Sequence, residues 1–265
     1  MKVAAVCGWN CTQKHTVITQ DMTSHKPISE SASLEILDLG HAEYEKILKL
    51  QYNLQNNRRQ GKVQDTVLVV EHPPTITFGV REDINLLAVD RKVLGKRGVA
   101  LVKTNRGGGA TVHSPGQIVC YPILDLQRRS LRVDEYVALL EDIGIRLLEK
   151  LGVTAHRREG FPGLWVKASS GDDAIPYRKI ASIGIHLAGM VTAHGMAVNI
   201  RNDLAMFNYI IPCGIDGVSM TSVREETGTE HDMAEVKRLL VECVKEHLTP
   251  GGATSEEGPD DASIR

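Results

Sequence analysis

The chain has 265 residues, 42 % of them hydrophobic and 24 % charged, with a net charge of -2 at pH 7. That length suits one large domain, or two small ones, able to bury roughly 70 % or more of its unfolded surface without a disulfide or metal staple. The charge balance lacks the strong basic excess of a nucleic-acid binder, and no run approaches the ~18 apolar residues of a membrane span.

Residues 1–33 are mixed and polar and read as a leader outside the fold. Its apolar run Met1–Trp9 is too short for a signal peptide, and the absence of Arg from the first thirty residues argues against a transit peptide. Leu34–Leu39 predicts a strand. Tyr44, Ile47, Leu48 and Leu54 then fall at helical spacing, predicting a helix over 42–58. Thr66–Glu71 is a β-branched run that Pro73-Pro74 turns into a second strand, Thr75–Phe78. Further strands are predicted at Val99–Thr104 and Gln117–Leu126. The clearest amphipathic helix carries Tyr136, Val137, Leu140, Ile143, Leu147, Leu148 and Leu151. Strands at Gly163–Lys167, Lys179–Leu187 and Val191–Ile200 follow, the first two joined by a long hairpin loop over 168–176. A last helix is predicted at Met233–His247, with Asp232 as N-cap. The segment after it, 249–265, is Gly- and acid-rich and predicts disorder. Strands in hairpin runs and helices in separate blocks give an α+β fold, with a mixed, largely antiparallel β-sheet flanked by helices. The domain limits are then 34–248.

The cysteines are Cys7, Cys11, Cys120, Cys213 and Cys243. An odd number, scattered or set in apolar runs, is no disulfide framework and fits a reducing compartment, with the cytoplasm as default. Cys7, Cys11, His15 and His25 could be read as zinc ligands, but their spacing differs from common zinc modules and no metal is expected. Cys120 and Cys243 sit in apolar runs and read as core residues. Cys213 lies between Pro212 and Gly214, hence in a loop where a thiol can be reached.

Two further features carry chemistry. The stretch Arg106-Gly107-Gly108-Gly109-Ala110-Thr111-Val112-His113-Ser114-Pro115-Gly116-Gln117 puts three glycines after a strand, where the backbone can approach a ligand closely. No Gly-Lys-Ser/Thr follows, so it is not a phosphate loop, and Pro115 with another strand beyond it excludes a dinucleotide fingerprint. A strained strand connection would also explain the glycines; Arg106, Thr111 and His113 add a polar cluster that favours a recognition loop. Lys179 opens a predicted strand, where a lysine is commonly a solvated edge charge. Beside a thiol, its ammonium would favour thiolate, and its neutral amine could take a proton from an attacking amine.

Taken together, Arg106-Gly107-Gly108-x-x-Thr111-x-His113-x-Pro115-Gly116-Gln117 with Tyr121-Pro122 resembles the glycine-rich signature of lipoyl(octanoyl) transferases. Gly163-x-Trp165-Val166, Lys179-Ile180-Ala181-Ser182-Ile183-Gly184, His194-Gly195-x-Ala197-x-Asn199 and Pro212-Cys213-Gly214 resemble that family's later blocks, in the same order. The similarity covers about residues 34–248. It implies the catalytic-domain fold shared by biotin and lipoate ligases. It also implies transfer of octanoyl from octanoyl-acyl carrier protein to a lysine of lipoyl domains, on 2-oxoacid dehydrogenase E2 subunits and the glycine cleavage H protein. By residue match Cys213 is the acyl-thioester nucleophile and Lys179 its partner. Arg106, Gly107, Gly108, Gly109, Ala110, Thr111, Val112 and His113, with Ser182, Ile183, Gly184, Gly195, Met196 and Ala197, would line the acyl pocket. Ser114 departs from the family pattern, which usually has Gly there, and bears on the shape of the pocket mouth. Thioester exchange is near-balanced and the final amide is more stable, so no nucleotide, metal or organic cofactor is expected.

The alternatives are an ATP-dependent lipoate ligase on the same fold, which needs no cysteine nucleophile, and a non-catalytic module that binds lipoyl domains or acyl chains. His72 and His186 read as structural. His113 and His194 sit in matched blocks and are expected to shape the pocket mouth. Arg91-Lys92, Lys96-Arg97 and Arg128-Arg129 read as solvated faces, or else as docking points for an acidic carrier protein.

Overall fold

The computed structural model describes residues 34–167, 177–211 and 218–249. The leader, the candidate zinc ligands, the 168–176 loop and the Cys213 block fall outside these residues, as does the tail beyond Thr249.

Strands β1 (Leu34–His41), β2 (Asp65–Glu71), β6 (Gln117–Ile123), β7 (Gly163–Lys167), β8 (Tyr177–Ala188), β9 (Val191–Asn199) and β10 (Ser219–Met220) form one seven-stranded sheet. Its order is β1-β2-β6-β9-β8-β10, with β7 also pairing to β8. The β2–β6, β6–β9, β9–β8 and β8–β7 pairs are antiparallel, whereas β1–β2 and β8–β10 are parallel. A small sheet in the order β4-β3-β5 (Ala100–Lys103, Thr75–Phe78, Thr111–His113) stands beside it. The mixed, largely antiparallel α+β architecture expected from the sequence is the one observed.

The central strands are buried on both faces, and their alternation divides the core in two. Val67, Val69, Ile118, Cys120, Met196 and Val198 face helices α3 (Val133–Lys150) and α5 (Met233–Leu248). Leu68, Val70, Val119, Tyr121 and Ala197 face α1 (Tyr44–Arg59). Asp232 caps α5 as expected, accepting a hydrogen bond from Ala234 N at 3.1 Å.

The buried face of α1 is Tyr44, Ile47, Gln51, Gln55 and Arg58, rotated from the Leu48 and Leu54 stripe that its apolar residues suggest. Hydrogen bonds explain the rotation. Gln51 Oε1 accepts from His194 N at 2.7 Å, and Gln55 Nε2 donates to Val191 O at 2.8 Å. Both glutamines thus satisfy the β9 backbone, which offsets their own desolvation. Arg58 Nε reaches Asp65 at 2.6 Å; Arg129 Nε binds the other Asp65 oxygen, and its guanidinium also donates to Leu248 O at 2.9 Å. Arg129 is therefore an internal tie between the sheet and the end of α5, not part of a solvated face.

Short elements escaped the sequence patterns: α2 (Arg91–Lys96), α4 (Val223–Thr227), β5 and β10, together with two 3₁₀ turns at Glu82–Ile84 and Leu204–Tyr209. No described helix is long and apolar enough to cross a membrane.

Candidate active site

Lys179 is held on both sides of its strand. It pairs with Trp165 of β7 on one edge and with Met220 of β10 on the other. The side chain is 4 % exposed, so the solvated-edge reading of this lysine does not apply. Its Nζ donates to Pro162 O at 3.0 Å and lies 4.9 Å from the centroid of the Trp165 ring, a cation–π distance. Gly163 makes room for it. At φ +121° this residue occupies a conformation open to glycine, and a Cβ there would lie 2.4 Å from Ala181 O and 2.8 Å from Lys179 Cε.

β7 pairs with β8 as far as Gly163, opposite Ser182. Three residues further along β8, Gly107 N donates to Ile185 O at 2.8 Å, so the glycine-rich loop covers the same edge. Ile183 and Gly184 fall between these two covers. The loop is fixed from both directions. Arg106 donates to Thr77 Oγ1 from Nε at 3.2 Å and to Thr77 O from Nη2 at 2.9 Å, which ties it to the small sheet. Val80 N donates to Arg106 O and Arg81 N to Gly108 O. Gly79 is required for that approach, because a Cβ there would sit 2.1 Å from Gly108 O.

The loop, β8 and β9 border a cavity of about 520 Å³, within the range of small-ligand sites. Of the residues expected to line an acyl pocket, Arg106 to Thr111, His113, Ser182 to Gly184, Gly195, Met196 and Ala197 all border it, as does Lys179. Val112 does not. Its side chain alternates away from those of Thr111 and His113 and is buried with Ile76, Phe78 and Leu94 in the small-sheet core. Tyr44, Arg81, Ile84, Val119, Tyr121, Val137, Ile185, His194 and the turn Gly160–Phe161–Pro162 also line the cavity. Tyr44, Val119 and Val137 carry ordinary core periodicity in the sequence, so no local signal separates them from packing residues.

The His113 and His194 imidazoles and the Tyr44 and Tyr121 phenols share one side of the cavity, and His72 packs against three of them without lining it. His72 bridges Ala42 O (2.8 Å from Nδ1) and the Tyr121 hydroxyl (3.0 Å from Nε2); these are the partners that the sequence did not reveal. His113 Nδ1 lies 2.8 Å from Gln117 Oε1. His194 adopts φ +60°, rare for a non-glycine residue, with Nε2 3.3 Å from the Tyr52 hydroxyl. At 1 % exposure His194 belongs to the inner wall, and His113 is buried too, so neither shapes an exposed mouth. Burial pushes the His72 imidazole down to about 4 and that of His194 to about 3, the latter helped by Arg106. Burial, with His72 nearby, also holds His113 well below the usual range. These rings are therefore neutral near pH 7.

The unfolded histidines take up protons near pH 6.5 and the folded ones only at lower pH, so the unfolded state binds more protons in between. Stability should be full above about pH 6.5 and fall as the pH drops through 5 toward 4, by several kcal/mol. Thermal melts across pH 4 to 7.5 measure this, and His72→Gln should flatten the slope; an unchanged slope in that variant would contradict the assignment.

Behind His113 runs a buried chain of hydrogen bonds. Gln117 Nε2 donates to Val112 O at 3.1 Å and to Asn199 Oδ1 at 2.9 Å. Asn199 Nδ2 donates to Thr221 O at 3.0 Å, and Thr221 N donates to Lys179 O at 2.9 Å. Asn202 Nδ2 adds a second donor to Asn199 Oδ1 at 3.2 Å. The glycine-rich loop and the Lys179 strand are thus joined through Asn199.

The comparisons with known proteins agree with one another. Residues 43–245 match the family model of the lipoyl protein ligase A/B catalytic domain. An octanoyltransferase of Desulfovibrio desulfuricans is 40 % identical over 223 residues, covering 84 % of this chain and 90 % of that protein. One from Chloroflexus aggregans is 38 % identical over 84 % of this chain and 99 % of its own. The chain belongs to the octanoyltransferases. Solved structures extend the likeness of fold. A bipartite lipoate protein ligase of Thermoplasma acidophilum superposes with a TM-score of 0.57 at 15 % identity, over 82 % of this chain and 84 % of that one. Plasmodium falciparum LipL1 in complex with lipoate gives 0.60 at 13 % identity, over 81 % of this chain and 62 % of that one. In this octanoyltransferase, then, the loop, β8 and β9 blocks read from the sequence surround one cavity that also holds Lys179.

Proposed function

We propose that the octanoyltransferase takes octanoyl from octanoyl-acyl carrier protein onto Cys213 and passes it to a lysine of a lipoyl domain. Candidate acceptors are 2-oxoacid dehydrogenase E2 subunits and the glycine cleavage H protein. The observation that carries this reading is the buried Lys179 Nζ at the wall of a cavity otherwise lined largely by glycines and apolar side chains. In the first step the Cys213 thiolate attacks the thioester carbonyl. A new C–S bond forms, the donor C–S bond breaks, and the departing thiolate takes a proton from the Lys179 ammonium. In the second, the acceptor amine attacks the enzyme thioester. A C–N bond forms, the Cys213 thiolate departs, and the amine proton returns to Lys179. Octanoyl fits the cavity because its chain has no polar group beyond the carbonyl. Ile183 lies two residues from Ile185, so its N–H points to the same edge of β8, between the β7 end and the loop; we assign it as a backbone donor to the developing oxyanion. Cys120 and Cys243 are buried free thiols, which supports a reducing, cytoplasmic setting.

The test is intact mass after incubation with octanoyl-carrier protein without ATP. An octanoyl adduct lost on hydroxylamine treatment and absent from Cys213→Ser is expected, followed by transfer to a lipoyl domain. A normal adduct in Cys213→Ser refutes the nucleophile, and transfer that requires ATP refutes the thioester route.

A further inference from the structure

One strongly charged surface has no part in the chemistry above. Helix α2 and the residue after it carry Arg91, Lys92, Lys96 and Arg97, all exposed. Leu94 is buried in the small-sheet core and anchors the helix. Arg91 and Arg97 flank that anchor, their guanidinium carbons 5.6 Å and 5.1 Å from the Phe78 and Tyr209 ring centroids. Lys92 and Lys96, one turn apart on the opposite side, project into solvent. Among the described residues none of the four forms an ion pair with a carboxylate. Between positions 81 and 103 six cations face three acids, in a chain whose net charge is negative. Exposed apolar groups lie in the same segment, Leu86 at 45 % and Val93 at 39 %.

The position of this surface narrows its use. Ala88 N donates to Tyr209 O at 2.9 Å and Ile211 N to Leu86 O at 3.1 Å, with Leu87 and Ile210 bridged between them. The basic helix therefore stands on the segment from which the chain runs on toward Cys213. No residue from 85 to 103 lines the cavity, so the patch is set back from the cavity. An acceptor lysine has a short side chain, and its domain must sit at the cavity itself. A carrier-borne thioester hangs on a prosthetic arm several times longer, so its protein can dock at a distance.

We propose that the α2 surface, centred on Lys92 and Lys96, docks the acidic carrier domain that delivers the acyl thioester. This rests on the thioester-exchange reading above. Opposite charge steers encounter and sets orientation, and such steering weakens as salt screens it.

The experiment compares the full-length Lys92→Glu/Lys96→Glu variant with the parent enzyme. Both positions are exposed, and an unchanged melting temperature reports an intact fold. With octanoyl-carrier protein as donor, kcat/KM should fall about tenfold or more at low salt, and the deficit should shrink as salt rises. With octanoyl-pantetheine, which has no carrier domain, and with the lipoyl domain as varied acceptor, the two proteins should match. Unchanged carrier kinetics, equal loss with both donors, or loss seen on varying the lipoyl domain overturns the docking surface. A parent enzyme that acylates Cys213 from neither donor overturns the thioester reading, and the docking surface with it.

Discussion

Lys179→Met is expected to lower octanoyl transfer to the acceptor lysine by about 10²–10⁴-fold, the usual range for loss of a positioned proton carrier. Methionine keeps an unbranched apolar stem beside Trp165 and in the space left by Gly163, so packing is largely retained. What disappears is the donor to Pro162 O and, in the reaction proposed above, the group that moves protons in both half-reactions. On the proposed pairing of Lys179 with Cys213, acylation should suffer too, because fewer thiols are ionised at neutral pH without the ammonium. That part has a pH signature. An unassisted thiol ionises near pH ~8.5, so the acylation deficit should be greatest at low pH and shrink above it, while the transfer deficit persists. Single-turnover mass measurements resolve the two steps. A variant within about threefold of the parent in transfer would remove Lys179 from the proton pathway.

Asn199→Leu attacks the same site from behind. The side chain's shape is approximately kept, but Gln117 Nε2 and Asn202 Nδ2 lose an acceptor and Thr221 O loses a donor, all in the interior. At ~1–3 kcal/mol for each buried group left without its partner, a total loss of about 3 kcal/mol or more is expected. For a chain of this size that lowers the melting temperature by roughly 6–12 °C. Because Thr221 is also bonded to the Lys179 backbone, transfer should slow even well below the melting temperature. Calorimetry checks the first effect and single-turnover transfer at 20 °C the second. A melting temperature within 2 °C of the parent would show that the chain of bonds contributes little.

The long elements were legible because their patterns are long. The α3 stripe repeats over five turns, and β2, β6 and β9 are runs of β-branched and apolar residues flanked by turn residues. Where the periodicity was thin, reading failed. α2 is six residues long and contains Gly95; β10 has two residues and exists only because it pairs with β8. The buried face of α1 is drawn toward two glutamines by the β9 backbone, a tertiary demand that no hydrophobic pattern encodes. Arg129 reads as surface until the fold brings Asp65 and Leu248 to it. At the site, motif order pointed to the residues now gathered around the cavity, but alternation within the short strand β5 turned Val112 into the core. The inner-wall phenol Tyr44 is indistinguishable in sequence from a packing residue, because its role depends on which cavity it faces.

β7 stops opposite Ser182 and the glycine-rich loop takes over at Ile185, so the cavity reaches the β8 edge at the gap where two more residues of a neighbouring strand would have run. On this side the cavity is bounded by an interruption in strand pairing, while Tyr44 of α1 and Val119 and Tyr121 of β6 line it from the core. The width of that interruption is tied to hydrogen-bond register. Moving the loop's point of attachment along β8 could change it only in strand-sized steps of about 3.4 Å per residue, and each single-residue shift would also turn the attaching group to the other edge.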